Sequence, residues 1–497
     1  MTQPMAQPST SVPQHATASV AGVSQGTATV DSSFTVPEDI DQAVQAVYER
    51  QKAFFATERT LDVDVRIDAL KRLHKAIVER ELKIEAAMKA DLGKSAYESY
   101  LSEIGLVLAE IDYQIRHVRS WAKPHRVPAD LANFHSQYFT LCEPYGCVLV
   151  MATWNYPFML AIEPLVGAVA AGNTCVLKTS DYAPHTADAM EELLQAVFEP
   201  GYVDVVKGGH LQNSALLARH FDYIFYTGSV GVGRIVMKAA AQWPVPVSLE
   251  LGGKSPCVVA ADADLDRAGA RVAFGKFLNC GQTCVAPDYV LVDEKVADGF
   301  VGSLVSHIVS MYGADAFENP NWGHIVSDRH WHRIKGLIDP SKVVYGGRGK
   351  EETLQIEPTV MFGCTADDTA MGQEIFGPVL PILTYGSIEE AETFIKDRDK
   401  PLAGYVFSDD PDTQMRFVRT VPFGGGCIND TVVHLATSRM GFGGVGASGI
   451  GSYHGRYSFK TFSHEKSILK KGTRLDLPFR YQPYTPEKLR VVKMLLK

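Results

Sequence analysis

Between residues 147 and 250, short apolar runs alternate with longer segments in which apolar residues recur at helical spacing. The apolar runs, which predict strands, are 147–153, 174–178, 202–206, 223–227 and 246–250. The segments between them, which predict helices, are 157–171, 184–198, 211–220 and 231–242. Such alternation is typical of an α/β fold in which a doubly wound parallel sheet is covered by crossover helices.

The flanking regions have different patterns. Two long amphipathic helices are predicted over 63–89 and 96–121, and a β-like run follows at 138–142. After residue 253 a second α/β region is predicted. Its elements are a helix at 264–278, a strand at 290–293, and helices at 295–312 and 387–397.

These patterns suggest four parts of the chain. We expect a disordered tail over 1–36, because that stretch is rich in Ser, Thr, Gln, Pro and Ala. The other expected parts are a first α/β domain (37–123 and 147–250), a second α/β domain (251–430), and a small β element (124–146 and 460–497).

Composition narrows the class of protein. The 497 residues are 46% hydrophobic and 21% charged, which suits a globular chain of more than one core. A net charge of −9 argues against a nucleic-acid partner. No apolar run reaches the roughly 18–20 residues that span a membrane. The first 37 residues contain no Lys or Arg, and the eight cysteines form no CxxC pair. We therefore expect a cytoplasmic protein in a reducing compartment.

Two residues suggest covalent chemistry. Cys284 lies among small residues in Asn279-Cys-Gly-Gln-Thr-Cys284, where a substrate could approach a thiol, although any one cysteine is more often a core residue. Spacing does not separate Cys284 from Cys280. Glu250 ends an apolar run before two glycines, so its burial would raise its pKa toward that of a general base. The alternative is a salt bridge with Lys254.

Ligand-binding candidates follow the predicted strands. Asn155 could donate to an oxyanion or cap the next helix. The glycine turn 228–233 opens a helix and could hold phosphate, but it lacks the GxGxxG spacing and could serve helix packing instead. Lys178 and Asp181 could bracket ribose hydroxyls, or belong to an exposed turn that caps a helix. His330, His332 and His454 lack ligand spacing, so no metal is expected.

Together, these segments resemble the aldehyde dehydrogenase superfamily from about residue 40 to 485, and most closely its class 3 and fatty aldehyde dehydrogenase branch. The motifs that carry the resemblance are TWNYP (153–157), LKTS (177–180), YTGSVGVG (226–233), LELGGK (249–254), GQTCVAPDY (281–289), EIFGPV (374–379) and FGGVGASGIG (442–451).

The resemblance implies NAD(P)-dependent oxidation of aldehydes to acids through a cysteine hemithioacetal and thioester. It implies Cys284 as nucleophile, Glu250 as general base and Asn155, with the Cys284 amide, as oxyanion donor. The implied NAD or NADP ligands are Lys178, Asp181, Gly228, Ser229, Val230, Gly231, Val232, Gly233, Glu374 and Phe376. Branch analogy further suggests medium- or long-chain aliphatic or aromatic aldehydes. The resemblance also implies that the first α/β domain is the NAD(P)-binding domain and the second the catalytic domain. The small β element is then a bridging element that pairs subunits, which suggests a homodimer.

Two departures from the family pattern stand out. The family usually has Lys-Pro-Ser-Glu where this chain has Lys178-Thr-Ser-Asp181, and the shorter Asp reaches less far toward a ribose. Met440-Gly-Phe-Gly-Gly444 replaces Pro-Phe-Gly-Gly, from which we expect only a local backbone effect. The basic C-terminal segment 488–497 is too short to span a bilayer; we expect a packed helix, with weak membrane-surface contact as the alternative.

Two rival functions follow from the same motifs. One is a CoA-acylating or phosphate-dependent reductase on the same scaffold, which would need no hydrolytic base. The other is a non-catalytic binding protein that retains the fold, which would be free to lose its nucleophile, base and oxyanion donor.

Overall fold

The computed structural model describes residues 36–130 and 133–496, so the predicted N-terminal tail lies outside the described residues except for Val36. The strands are β1 His125–Val127, β2 Ser136–Pro144, β3 Cys147–Met151, β4 Thr174–Lys178, β5 Val203–Val206, β6 Tyr223–Gly228, β7 Val247–Leu251, β8 Pro256–Val259, β9 Tyr289–Asp293, β10 Val343–Tyr345, β11 Gly349–Lys350, β12 Gln355–Ile356, β13 Thr359–Phe362, β14 Val379–Tyr385, β15 Ala403–Phe407, β16 Gly425–Ile428, β17 Gly449–Ile450 and β18 Ser463–Lys471.

The helices lie between these strands and before them. They are α1 Glu38–Phe55, α2 Val63–Glu79, α3 Glu81–Leu92, α4 Ala96–Ser99, α5 Gly105–Trp121, α6 Met159–Ala171, α7 Pro184–Val197, α8 His210–Leu217, α9 Val230–Ala240, α10 Leu265–Phe277, α11 Ala297–Tyr312, α12 Asp328–Lys335, α13 Ile388–Lys396, α14 Pro411–Thr420, α15 Arg456–Thr461 and α16 Pro486–Leu495. A π-helical turn, Tyr100–Ile104, joins α4 to α5.

The first sheet has six strands in the order β17-β7-β6-β3-β4-β5. Strands β3 to β7 are parallel, and only β17 runs antiparallel, on β7. The chain enters at the central strand β3, winds outward through β4 and β5, and returns to β6 on the other side. This confirms the predicted doubly wound parallel sheet, and it creates a topological switch point between β3 and β6.

Both faces of this sheet are covered, which explains its apolar runs. Along β3, Val148 and Val150 face one core, which includes residues of α2, α5 and α6. Cys147, Leu149 and Met151 face a second core, which includes residues of α1, α8 and α9. Alternate residues of a strand point to opposite faces, so a strand buried on both sides must be apolar throughout.

The second sheet has seven strands in the order β10-β13-β14-β9-β8-β15-β16, and all but β10 are parallel to their neighbours. The two large sheets belong to one compact unit. The boundaries suggested above for a cofactor-binding and a catalytic domain therefore stay a prediction.

A third, antiparallel sheet has the order β1-β2-β18 and pairs residues 136–144 with 463–471. The terminal helix α16 follows it, and none of its described residues is buried: Leu489 is 54% exposed and Met494 70%. The expectation of a packed C-terminal helix is therefore wrong for the single chain. Within the described residues, no helix is both long and apolar enough to cross a membrane.

Candidate active site

The candidate site residues gather at the switch point of the six-stranded sheet. Asn155 follows the carboxyl end of β3, and the glycine turn 228–233 follows β6, its neighbour. Glu250 lies on β7, next to β6. Ligands of open α/β sheets bind where the strand order reverses, because the connections leave a crevice there.

Cys284 lies between α10 and β9 and lines a cavity of about 740 Å³, which includes its open mouth. The wall is almost entirely apolar, and it combines residues from both halves of the chain. Its aliphatic and aromatic members include Leu101, Leu106, Met159, Leu160, Phe274, Leu278, Val432, Leu435 and Phe442. A hydrophobic molecule can therefore reach the sulfur without leaving buried polar groups unpaired.

The surroundings of Cys284 disfavour its thiolate in the protein without ligands. Burial, together with the nearby carboxylates of Glu374 and Glu250, raises the pKa of the thiol to about 12. Backbone hydrogen bonds from Cys284 and Val285 oppose this effect and lower the pKa. The same N–H groups can donate to an anion that forms beside the sulfur.

Cys280, which spacing alone did not separate from Cys284, has different neighbours. It is 4% exposed and lines a separate, small cavity with Lys94, Glu98 and Tyr312. Burial raises its pKa well above the usual range. Of these two thiols, only Cys284 lines the apolar cavity.

Glu250 is 3% exposed, and neither of its carboxylate oxygens has a hydrogen-bond partner among the described residues. Burial raises the pKa of Glu250 well above its usual value. The alternative salt bridge is wrong, because Lys254 instead pairs with Asp288 and donates to the carbonyls of Ala370 and Gln373. A buried carboxylate without a partner is costly unless it has a chemical role.

Asn155 is 2% exposed, and its Nδ2 donates to the Gln282 carbonyl at 2.9 Å. The side chain thus contacts the loop that carries Cys284, although it does not line the apolar cavity. The alternative helix-capping role is wrong: α6 begins at Met159, and the carboxylate of Glu103 accepts from the N–H groups of Phe158 and Met159.

The glycine turn has an open backbone at one glycine and a tightly packed one at another. At Gly231 nothing lies within 4 Å of where a Cβ would be, so the backbone is open to a ligand. At Gly233 a Cβ would lie 2.8 Å from Leu251, so this glycine allows α9 to pack closely on β7. The helix N-terminus is capped by Ser229, whose side chain accepts from the Val232 N–H.

Lys178 and Asp181 lie at the carboxyl end of β4. The Lys178 ammonium is buried and donates to the carbonyls of Thr179 and Gly208, and burial lowers its pKa to about 8. Asp181 is exposed, with its carboxylate beside Gly209. The capping alternative is wrong here too, because the first residues of α7 bond to Asp91 and not to the turn.

Glu374 and Phe376 lie on the loop before β14. Arg333 donates to the backbone carbonyls of Glu374 and Ile375, which fixes the loop. Burial raises the pKa of Glu374 to about 8, and its Oε1 has no partner among the described residues. Phe376 has a φ of 49° and packs edge-on against Trp154 at 5.4 Å.

Two buried pairs of polar residues at or near the site were not predicted from the sequence. His454 lines the apolar cavity and pairs with buried Glu163 at 3.1 Å. Glu163 is the lone carboxylate in the apolar run 158–171, so the sequence does indicate that it needs a buried partner. Lys94 and Glu103 form a buried ion pair behind Asn155, for which the sequence gives no signal.

The histidine segment differs from expectation in one respect. His332, Asp328 and Glu351 offer ligand atoms within 4.8 Å of one another, which is a spacing that could hold a metal ion. All three residues are exposed, and His332 Nε2 lies 3.3 Å from an oxygen of each carboxylate. Sequence spacing missed this group because Glu351 comes from another element.

The family model described as "Aldehyde dehydrogenase family" matches residues 14–468. This chain belongs to that family. Its members are oxidoreductases that convert aldehydes to acids with NAD or NADP, so the function and fold inferred from the motifs are confirmed at that level.

Individual relatives of the family agree with the inferred branch. The chain is 45% identical to the 4,4'-diaponeurosporen-aldehyde dehydrogenase of Staphylococcus aureus, over 90% of this chain and 97% of that one. It is 40% identical to aldehyde dehydrogenase family 3 member A2 of Rattus norvegicus, over 90% and 93%. A solved substrate-bound state of Staphylococcus aureus AldH matches with a TM-score of 0.90 and 44% identity, over 91% and 99%.

Proposed function

We propose that this aldehyde dehydrogenase oxidises hydrophobic aldehydes at Cys284, with Glu250 as the hydrolytic base and Asn155 as an oxyanion donor. One observation carries the proposal: the apolar cavity ends at a thiol that is close enough to two buried carboxylates for their charges to raise its pKa. Such a site can bind an apolar aldehyde, attack it and then activate water.

The reaction begins when the Cys284 thiolate adds to the aldehyde carbon, which forms a C–S bond and an alkoxide. The Asn155 amide and the Cys284 backbone N–H donate to that alkoxide, each contributing about 3–4 kcal/mol as oxyanion donors do elsewhere. A bound NAD or NADP would supply the hydride acceptor, and loss of hydride from this carbon would leave a thioester on Cys284. Glu250 then takes a proton from water, the hydroxide attacks the thioester, and the acid departs as the thiolate is restored.

The residues present fit NAD or NADP. The open backbone at Gly231 and the capped N-terminus of α9 suit a pyrophosphate, because a helix N-terminus favours anions. The unpartnered Oε1 of Glu374 suits a ribose hydroxyl. In this proposal Lys178 and Asp181 hold the adenosine ribose, the turn from Gly228 to Gly233 holds the phosphates, and Glu374 and Phe376 hold the nicotinamide end.

The substrate class that we propose is medium- or long-chain aliphatic or aromatic aldehydes. The support is the wall of the cavity, where Leu160, Phe274 and Phe442 surround the path to the sulfur. Burial of each CH₂ contributes roughly 0.8 kcal/mol, so longer chains should gain affinity until they fill the cavity.

We further propose a cytoplasmic homodimer with the domain division given in the sequence analysis. All eight cysteines are free, which suits a reducing compartment. Strand β18 pairs on one side only among the described residues, and an unpaired edge is a natural site for subunit contact. The exposed apolar and basic residues of α16 would serve the same contact or a weak membrane-surface contact.

A direct assay tests the main proposal. Purified protein is mixed with NAD or NADP and aldehydes of increasing length, and reduced nicotinamide and acid are measured without CoA or phosphate. We expect one acid per reduced cofactor, with KM falling as the chain lengthens. Product formation that required CoA or phosphate would favour a CoA-acylating or phosphate-dependent enzyme. If no aldehyde gave reduced nicotinamide or acid, a non-catalytic binding protein would be favoured.

A further inference from the structure

A buried lysine contacts the residue that we propose as the oxyanion donor. Lys94, in the segment between α3 and α4, is 2% exposed. Its Nζ donates to the backbone carbonyl of Asn155 at 3.0 Å and lies 4.0 Å from the ring centre of Tyr156. The ammonium thus fixes the backbone that carries the Asn155 amide.

The partner of this lysine fixes the other end of the same segment. Glu103, in the π-helical turn, is fully buried and accepts from Lys94 Nζ at 2.5 Å. Its second oxygen accepts from the N–H groups of Phe158 at 2.8 Å and Met159 at 3.1 Å. One ion pair therefore holds residues 155–159 at both ends, where the chain leaves β3 and enters α6.

Residues 155–159 also form hydrogen bonds with the loop that carries Cys284. The Asn279 side chain donates to the Asn155 carbonyl at 2.7 Å, the same oxygen that Lys94 contacts. The Tyr156 hydroxyl and the Thr283 hydroxyl are hydrogen-bonded at 2.6 Å, one residue before Cys284. Displacing residues 155–159 would therefore change the relation of the amide to the sulfur.

We propose that Lys94 and Glu103 are positioning residues for aldehyde oxidation: their ion pair places the Asn155 amide where the oxyanion forms beside Cys284. The inference rests on the proposed function of Asn155 and Cys284. A buried ion pair is a weak source of stability, since desolvation offsets the attraction, but it fixes geometry when every lone pair is bonded. A misplacement of about 1 Å can cost a factor of about 100 in rate.

The test is a double-mutant cycle on hydride transfer in a single turnover. Lys94→Met should slow that step at least about tenfold, while binding of the reduced cofactor, followed by its fluorescence, stays unchanged. In an Asn155→Ala background, Lys94→Met should slow the step less than about threefold further, because no amide remains to be placed. Lys94→Arg keeps the charge and the donors and should recover most of the rate.

A matched control separates placement from general loss of structure. Glu357→Gln removes another buried carboxylate that is paired with a cation, Arg348, and accepts a backbone N–H, but lies apart from the site. It should lower the unfolding midpoint and leave hydride transfer unchanged. If Lys94→Met does not fold, Glu103→Gln has the same volume as the native residue and enters the same cycle.

Two results would overturn the inference. One is a folded Lys94→Met or Glu103→Gln with an unchanged hydride-transfer rate. The other is an equal loss in the native and Asn155→Ala backgrounds, because additive losses mean a merely structural role. If Asn155→Ala itself leaves hydride transfer intact, the proposed role of Asn155 fails, and that outcome is distinguishable from failure of the ion pair.

Discussion

Cys280 and Cys284 lie four residues apart in the chain, yet they line different cavities and have different charged neighbours. Cys284 faces a large apolar cavity and two carboxylates, Glu374 and Glu250. Cys280 faces a small, separate cavity that is lined by both polar and apolar residues, and the carboxylate that raises its pKa is Glu98. Burial raises the pKa of both thiols, so acidity alone does not single out a nucleophile.

The backbone between them explains the difference. Asn279, Cys280 and Gly281 have φ values of 52°, 53° and 71°, in the left-handed region. These values turn the chain sharply, so that the two thiols face different parts of the molecule. A Cβ at Gly281 would collide with the Gly377 carbonyl, which is why the turn needs glycine there. Access to the apolar cavity, set by this turn, is what distinguishes the two sulfurs.

Loss of the Cys284 sulfur should have the largest effect on activity. Cys284→Ser should lower kcat for aldehyde oxidation by at least about 10⁴-fold, because a serine hydroxyl ionises far less readily than a thiol and is a poorer nucleophile. Cys280→Ser is the matched control and should keep kcat within about twofold, since that sulfur does not line the cavity. The measurement is steady-state formation of reduced nicotinamide. The opposite ranking would transfer the nucleophile to Cys280.

A smaller effect separates the two halves of the reaction. Glu250→Gln removes the base and should lower steady-state turnover about 10²- to 10⁴-fold, the range of general base catalysis. The first turnover should persist, so that one equivalent of reduced cofactor per site forms before the thioester stalls. Rapid mixing followed by mass measurement of the acylated peptide would detect this. Unchanged turnover would contradict the assignment.

The smallest effect concerns the charge beside Cys284. The pKa of Glu374 is about 8, so at pH 9 its carboxylate is ionised and opposes the thiolate of Cys284. Glu374→Gln should therefore lower the pKa of the thiol and speed its alkylation by iodoacetamide roughly threefold at pH 9, half a pKa unit. At pH 6.5, where Glu374 is protonated, the two rates should match.

Labelling of Cys280 is the internal control for that experiment. Its pKa is affected by Glu98 and not by Glu374, so Glu374→Gln should leave its slow alkylation unchanged. Peptide mapping after partial reaction distinguishes the two sites. Equal acceleration of both thiols would mean that the substitution loosens the loop and does not act through charge.

Much of the fold was predictable because strands buried on both faces must be apolar throughout. The run 174–178 coincides with β4, and 157–171 differs from α6 by two residues at its start. The helix predicted over 63–89 is in fact divided at Arg80, where φ is −115° and ψ 12°. A break of one residue does not interrupt the apolar spacing, so the pattern does not reveal it.

The site residues that lie in short sequence motifs could be predicted. Those whose role depends on contacts with distant parts of the chain could not. Glu250 stands out because a carboxylate ends an apolar run. Lys94 and Glu103 do not, because both lie in polar segments and become buried only when α6 packs on them. The π-helical turn that carries Glu103 leaves no trace in the periodicity of 96–121.

Strand β17 is only two residues long, but Gly449 pairs with Glu250 and Ile450 with Leu249. Without it, β7 would be the exposed margin of the six-stranded sheet. During synthesis on a ribosome, about two hundred residues must follow Glu250 before this margin is covered, since chains emerge from their N-terminus. A nascent chain therefore carries an unprotected, aggregation-prone margin until nearly the whole protein has been translated.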